Sequence, residues 1–505
     1  MPAQRHLDAL KTDHLDADLK GRSLRGGLLT FASQGTQFVT QSISTVVLAR
    51  LLTPGDFGLV AMVMAITVLA TAFADLGLSE ATIQRQDITH EQVSTLCWIN
   101  IAVGTGLMLI TAAMAPVFAW FYREPRVVNV ALVLSLTFLI GGLRVQPDAL
   151  LKRQMRFSSL AIRDVASLGL AVPVAIIFAW RGAGYWALVV LPLTQNFTQM
   201  ALSWLMVKWR PGLPRWGANV GSMVGFGGKV AASYFIINVY RSADNVLIGW
   251  YWGAAPLGLY SRAYNLLMLP VRQLNAPISS VAIPAFSKIQ DDLERYARYY
   301  LRAISLIMWI SVPIFGFLIV AADPVIVLLL GAKWREAAPV FQILGISALA
   351  QLLLESTIWL LVSRGQSERL LRLFIFIAPI VVGSFAAGLR FGIKGVALAY
   401  SIVMLALLPW ILKFAFRGTP LNLERLGRSL LYPVSLGLVG SVFGKLGLQV
   451  IGPERILTQL LTVALGFVAA YSMCLFIPPI RDEVTSFRRL LGELRLFGGT
   501  AKPTA

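Results

Sequence analysis

A chain of 505 residues that is 57% hydrophobic and only 14% charged falls well short of the roughly one-quarter charged share of a soluble domain, which excludes a string of soluble domains. The formal net charge is +19, but the basic residues lie between apolar runs. That placement reads as membrane topology and contact with anionic lipid, and it excludes nucleic acid as a partner.

The first 25 residues are polar with charges of both signs, unlike a signal peptide, and are expected to form a cytoplasmic tail. Apolar runs of bilayer length then recur along the chain, at about 26–51, 56–78, 94–118, 127–146, 161–180, 184–206, 223–252, 255–285, 300–321, 338–362, 370–389, 393–415, 430–449 and 456–478. In lipid such runs must satisfy their own backbone and are read as helices. The two longest, 223–252 and 255–285, are expected to tilt, break or project. This gives an all-α polytopic membrane protein of about fourteen transmembrane helices. Residues 145–160 (VQPDALLKRQMRFSSL) read as an amphipathic segment at the inner interface, and 322–339 as a helix at the outer surface before the tenth span.

With the N-terminus inside, the inner segments hold about 25 Lys and Arg and the outer loops about 8, so both termini are expected in the cytoplasm. The outer loops are short. The fifth and sixth spans are joined by little more than RGAG (181–184), and no loop offers room for an extramembrane catalytic domain. Cys97 and Cys474 lie in apolar context and suggest no disulfide framework. His6, His14 and His90 lie in polar segments, which argues against a metal site within the membrane.

A shift of 200 residues brings LARLLTPGDFGLV (48–60) onto IGWYWGAAPLGLY (248–260), with Gly58 on Gly258 and the break at Pro54 on Gly253-Ala254-Ala255. Six spans separate the copies, so the repeat is parallel and relates two six-helix lobes by an axis along the membrane normal. The expected organisation is a tail (1–25), a first lobe (26–222), a second lobe (223–427), two further helices (428–480) and a C-terminal tail (481–505). A cleft between lobes is where a transporter binds its substrate.

Within NVYRSADN (238–245), Arg241 and Asp244 sit inside a span; Arg262 and Arg272 follow on the next, Arg50 ends the first, and Lys229 opens the seventh. A charge near mid-bilayer costs at least about 2.5 kcal/mol on insertion scales, so such groups face water or a partner. One reading pairs Asp244 with Arg241 a turn away, or with Arg262. The other has the arginines hold an anion, which suits the planar guanidinium fork. Asp244, Glu355 and Asp75 are candidates for proton or sodium coupling, and Glu355 has no evident local partner. GFGGK (225–229) has the wrong spacing for a phosphate loop. Gly104-Thr105-Gly106 suits close helix packing, and WFY (120–122) and GWYW (249–252) suit an outer aromatic belt.

ARLLTPGDFGLVAM, GLSEATIQRQDITHEQVSTLCW, DALLKRQMRF, RSADNVLIG and above all APLGLYSRAYNLLMLPVRQLNAPISSVAIPAFSKIQDD resemble the Wzx-type flippases of the multidrug/oligosaccharidyl-lipid/polysaccharide exporter superfamily. The resemblance covers residues 20 to about 370 and extends over the last third by span count only. It implies two six-helix lobes in a V plus two C-terminal helices, with cationic residues in the cavity. It also implies movement of an undecaprenyl-pyrophosphate-linked oligosaccharide from the cytoplasmic to the periplasmic leaflet of the bacterial inner membrane. The repeat unit would belong to O-antigen, exopolysaccharide or capsule, and the pathway's polymerase and glycosyltransferases would be partners. Alternating access would be driven by the membrane potential or by H+ or Na+, with no cofactor. Two rivals share the superfamily: a drug or cation antiporter, disfavoured by the cationic excess, and a lipid II-type flippase. A membrane-embedded enzyme is disfavoured by the short outer loops.

Overall fold

A computed structural model of the chain describes residues 19–74, 77–85, 88–215, 238–451 and 456–474. Among the described residues every regular element is helical and no strand occurs, as lipid requires of a spanning backbone. Lys229, Asp75 and the GFGGK run lie outside them.

The residues cluster into two compact units, Met1–Ser261 and Arg262–Ala505. The first holds α1 (Leu19–Leu51), α2 (Pro54–Ala74), the short α3 (Leu78–Gln84), α4 (His90–Tyr122), α5 (Arg126–Arg153), α6 (Phe157–Trp180), α7 (Trp186–Met206), a helix α8 described over 238–252, and the first turns of α9 (Ala254–Lys288). The second holds the rest of α9, α10 (Leu293–Val320), the short α11 (Ala322–Leu330), α12 (Ala337–Ser363), α13 (Ser367–Gly388), α14 (Gly392–Phe416), α15 (Leu423–Ile451) and α16 (Ile456–Cys474). Within the described residues each expected span falls on a helix, the seventh being described only over 238–252. Among the described residues, 8 helical stretches are long and apolar enough to cross a membrane, one of which, Ser367–Phe416, contains both α13 and α14. Helices α1, α7 and α9 are long enough but too polar in composition to be among them.

Local chemistry accounts for the helix boundaries. Thr53 caps α2, accepting from the Asp56 amide at 3.3 Å while the Asp56 carboxylate accepts from the Thr53 amide at 2.9 Å, and Pro54 takes the first helical position, where no N–H is required. Thr89 and Gln92 form the same reciprocal box at α4. Between α5 and α6 there is no separate interfacial segment. Residues 145–153 continue α5, a turn through Met155 (φ 52°) reverses the chain, and α6 starts at Phe157. The amphipathic pattern of 145–160 belongs to two helix ends, and two of its basic residues reach neighbouring helices. Buried Arg153 donates to the carbonyls of Thr82 (3.0 Å), Ile83 and Arg85 at the end of α3, and Arg156 donates to Met206 at the end of α7 (2.7 Å). Two basic residues of DALLKRQMRF therefore close helix C-termini, whose free carbonyls and dipole favour cations.

The repeat has a physical counterpart inside the first unit. A Cβ on Gly58 would overlap the Ala254 carbonyl and lie 2.9 Å from the Gly258 nitrogen. A Cβ on Gly258 would overlap the Pro54 carbonyl and lie 3.1 Å from the Gly58 nitrogen. The contact exchanges residues exactly 200 apart, so α2 and α9 cross backbone to backbone about a local two-fold, as small residues permit. Gly249 packs against Tyr122 and Met62, and Phe121 stacks on Trp250 at 6.2 Å. These contacts tie α8 and the start of α9 to α2 and α4, and the two compact units divide within α9; the expected boundary at 222/223 lies outside the described residues. Gly104 meets Gly142 where α4 packs on α5, the close-packing role expected for it.

In the second unit, α12 lies deepest, packed by α10, α13 and α14. The two helices without a partner in the repeat, α15 and α16, pack on α10: Gly437 meets Val312, and Phe467 fills the space left by Gly316 and Gly440. The segment expected at the outer surface forms α11 and a short 3-10 turn at Ala332–Trp334, pinned by an Asp323–Arg335 ion pair of 3.0 Å.

Candidate functional site

Arg241 is exposed on α8, and Asp244, one turn on, is 4% exposed. Asp244 makes no ion pair among the described residues. One carboxylate oxygen accepts from the Asn245 amide at 2.7 Å and the other from the Tyr260 hydroxyl at 3.1 Å. Tyr260 is itself buried at the start of α9, so the repeat contact at Gly258 brings this hydroxyl within reach. Of the two sequence readings, pairing of Arg241 with Asp244 does not occur in this arrangement.

Arg262 is half-buried and Arg272 exposed, both on the part of α9 within the second unit. Glu355, on α12, has a partner that the sequence did not reveal: it accepts from the Asn275 side-chain amide at 3.3 Å. The chain continues through Ser279, which donates to Asn275 and accepts from Trp359 at 2.7 Å. Trp359 lies one turn beyond Glu355, so a polar ladder two rungs long links α9 to α12. Arg50 is exposed in the last turn of α1.

The densest group of charges in the first unit is one that the sequence reading did not weigh. Arg144 and Asp148 on α5 meet Arg163 and Asp164 on α6 and Asn196, Gln199 and Ser203 on α7. Arg144 and Asp148 pair at 3.3 Å; Arg163 bridges Asp148 and Asp164, the latter at 2.6 Å. Ser203 donates to Asp148 at 2.6 Å, Arg144 donates to Gln199, and Gln199 donates to Asp164 at 3.3 Å. The Arg163 side chain is 9% exposed and that of Asp148 16%. Two cations and two anions leave the group formally neutral. Pro147 helps to build it. Lacking an N–H, it frees the Leu143 carbonyl, and the Trp204 indole of α7 donates to that oxygen at 2.9 Å. The cluster escaped the sequence reading because the fourth span was ended at 146 and the fifth begun at 161, which put Asp148 in a loop and left Arg163 and Asp164 at a span end.

Comparison with known proteins adds the family. The polysaccharide biosynthesis protein family model matches residues 47–339. The chain belongs to that family. Among relatives, it is 27% identical over 304 residues to teichuronic acid biosynthesis protein TuaB of Bacillus subtilis (strain 168), covering 60% of this chain and 63% of that protein. It is 25% identical over 374 residues to lipopolysaccharide biosynthesis protein WzxC of Escherichia coli (strain K12), covering 72% of this chain and 74% of that one. Among solved structures, lipid II flippase MurJ in an inward closed conformation superimposes with a TM-score of 0.72 at 12% identity, covering 90% of this chain and all of that one. The polysaccharide biosynthesis family member therefore shares the fold of that flippase over most of its length. The Gly58–Gly258 crossing and the Asp244–Tyr260 bond both lie within the matched 47–339 segment.

Proposed function

We propose that the protein flips a lipid-linked oligosaccharide, the repeat unit of a surface or wall polysaccharide, from the cytoplasmic to the periplasmic leaflet of the bacterial inner membrane. The observation that carries this reading is the conjunction of the family match over 47–339 with a flippase fold over 90% of the chain. The names of the relatives, which concern lipopolysaccharide and teichuronic acid, point to the same class of precursor. In this reading the carrier is an undecaprenyl pyrophosphate, and the arginines of α8 and α9 (Arg241, Arg262 and Arg272) meet its phosphates while the lobes rock in alternating access. All fourteen spans cross, both termini are cytoplasmic, H+ or Na+ couples the cycle through Asp244 or Glu355, and a polymerase consumes the product.

The test is made in cells from which the protein can be depleted. Depletion should leave lipid-linked oligosaccharide accumulating in spheroplasts, inaccessible to a lectin added outside, with surface polysaccharide lost. Lipid-linked sugar that stays accessible to the lectin after depletion would sink the proposal. Arg241→Ala should reproduce the depletion phenotype with the protein still in the membrane. Normal surface polysaccharide in that variant would remove Arg241 from the phosphate site.

A further inference from the structure

The polar composition that keeps α1 and α7 from reading as ordinary membrane helices is concentrated in the middle of each. Helix α1 carries SQGTQFVTQS (33–42), about 21 to 35 Å along a helix roughly 50 Å long, and α7 carries TQNFTQ (194–199), about 12 to 20 Å along a helix roughly 30 Å long. Both runs are made of neutral amides and hydroxyls. They converge on α6. Ser33 donates to the Ala161 carbonyl at 3.4 Å and accepts from Gln37 at 2.9 Å, while Gln199 reaches Asp164 at 3.3 Å. Ala161 and Asp164 are three residues apart, so the two contacts lie within one turn of the same helix. With the first and fifth spans running the same way, both runs lead from that turn toward the bilayer centre.

Several of these side chains are not engaged by protein. Gln34 and Gln41 are exposed and Gln195 is half-exposed, and none of the three makes a side-chain hydrogen bond among the described residues. An amide left unsatisfied in hydrocarbon costs several kcal/mol, so these groups face water or a ligand. The type of group narrows the ligand. A phosphate calls for net positive charge, but the arginines at the foot of the two runs are neutralised by Asp148 and Asp164. Amides and hydroxyls both donate and accept, which is the complement of a sugar hydroxyl that also does both.

We propose that the amide runs of α1 and α7, which flank the same turn of α6, form a carbohydrate site, in which Gln34, Gln41 and Gln195 hydrogen-bond the hydroxyls of the glycan carried by the lipid. This rests on the flippase reading and places the sugar in the first unit, apart from the arginines assigned to the pyrophosphate. It makes this wall a determinant of which glycan is accepted.

The experiment compares two probes on purified protein in lipid nanodiscs: geranylgeranyl pyrophosphate, and the same molecule bearing an N-acetylglucosamine disaccharide. Gln34→Leu and Gln195→Leu should each weaken the disaccharide probe about five-fold, the effect of losing one neutral hydrogen bond, and leave the sugar-free probe unchanged. Thr198→Val supplies a second substitution on α7 should Gln195→Leu lower the melting temperature. Equal weakening of both probes, or of neither, would overturn the carbohydrate site. Wild-type protein that binds the two probes equally would overturn it too, and leave the flippase reading standing. Wild-type protein that binds neither would overturn both.

Discussion

Asp244 is held by two neutral donors, the Asn245 amide and the Tyr260 hydroxyl, at a position 4% exposed, and that fixes how the stretch should respond to substitution. Exchanging the charges, Arg241→Asp with Asp244→Arg, puts a guanidinium into a small buried site shaped for a carboxylate beside Tyr260. Surface polysaccharide should not recover in the exchanged protein; recovery would restore simple ion pairing. Tyr260→Phe takes one donor from a buried acceptor and should cost about 1 to 3 kcal/mol, measured by thermal unfolding in detergent, with little effect expected if water already occupied the site. The network on α5 to α7 is more exacting. Arg163→Ala takes from Asp164 its paired cation and leaves Asp148 with Arg144 alone, and should cost about 3 to 5 kcal/mol, whereas Arg428→Ala breaks an exposed pair with Glu424 and should cost under about 1 kcal/mol. Equal melting temperatures for the two variants would show that the buried cluster is not structural.

The elements were legible in the sequence to the extent that hydrophobic length alone defines them. Within the described residues the expected spans coincide with helices, because in lipid a run of apolar residues has few other conformations open to it. The misreading at 145–160 arose where length and hydrophobicity disagree. Asp148, Arg153 and Arg156 break the apolar run, yet the helices continue because Arg163, Ser203, the carbonyls at the end of α3 and that of Met206 on α7 satisfy those charges from other elements. Such partners are remote in sequence, as is Asn275 for Glu355, and a single sequence offers no sign of them. The repeat was legible from only a few identities, of which Gly58 and Gly258 prove to be the pair in contact. Either glycine replaced by leucine has to push α2 and α9 apart, and the local symmetry predicts similar losses for the two, about 1 to 3 kcal/mol or more. Thermal unfolding of Gly58→Leu and Gly258→Leu should show matched reductions. A large loss in one alone would mean that the two helices do not share the contact evenly.

At the scale of the whole molecule, orientation depends on charges that the folded structure puts to further use. Arg153 and Arg156 count toward the inner excess of basic residues, and they also close the C-termini of α3 and α7. Removing them therefore changes both topology signal and packing, whereas Arg425 and Arg428, exposed at the start of α15, contribute charge with only surface pairs to Glu294 and Glu424. The distinction gives a test of topology that does not confound folding. A fluorescent protein fused after the C-terminal tail should be bright, and alkaline phosphatase fused there inactive, as an even number of crossings from a cytoplasmic N-terminus demands. Arg425→Ala with Arg428→Ala should leave that pattern intact, because the roughly 25-to-8 bias is spread over eight inner segments and loses only two members. An active phosphatase at the wild-type C-terminus would mean an odd number of crossings. One helix to question would then be α7, whose central TQNFTQ leaves it less apolar than an ordinary span. Losing that crossing would also remove one wall of the carbohydrate site, so the fusion result bears on substrate recognition as directly as on topology.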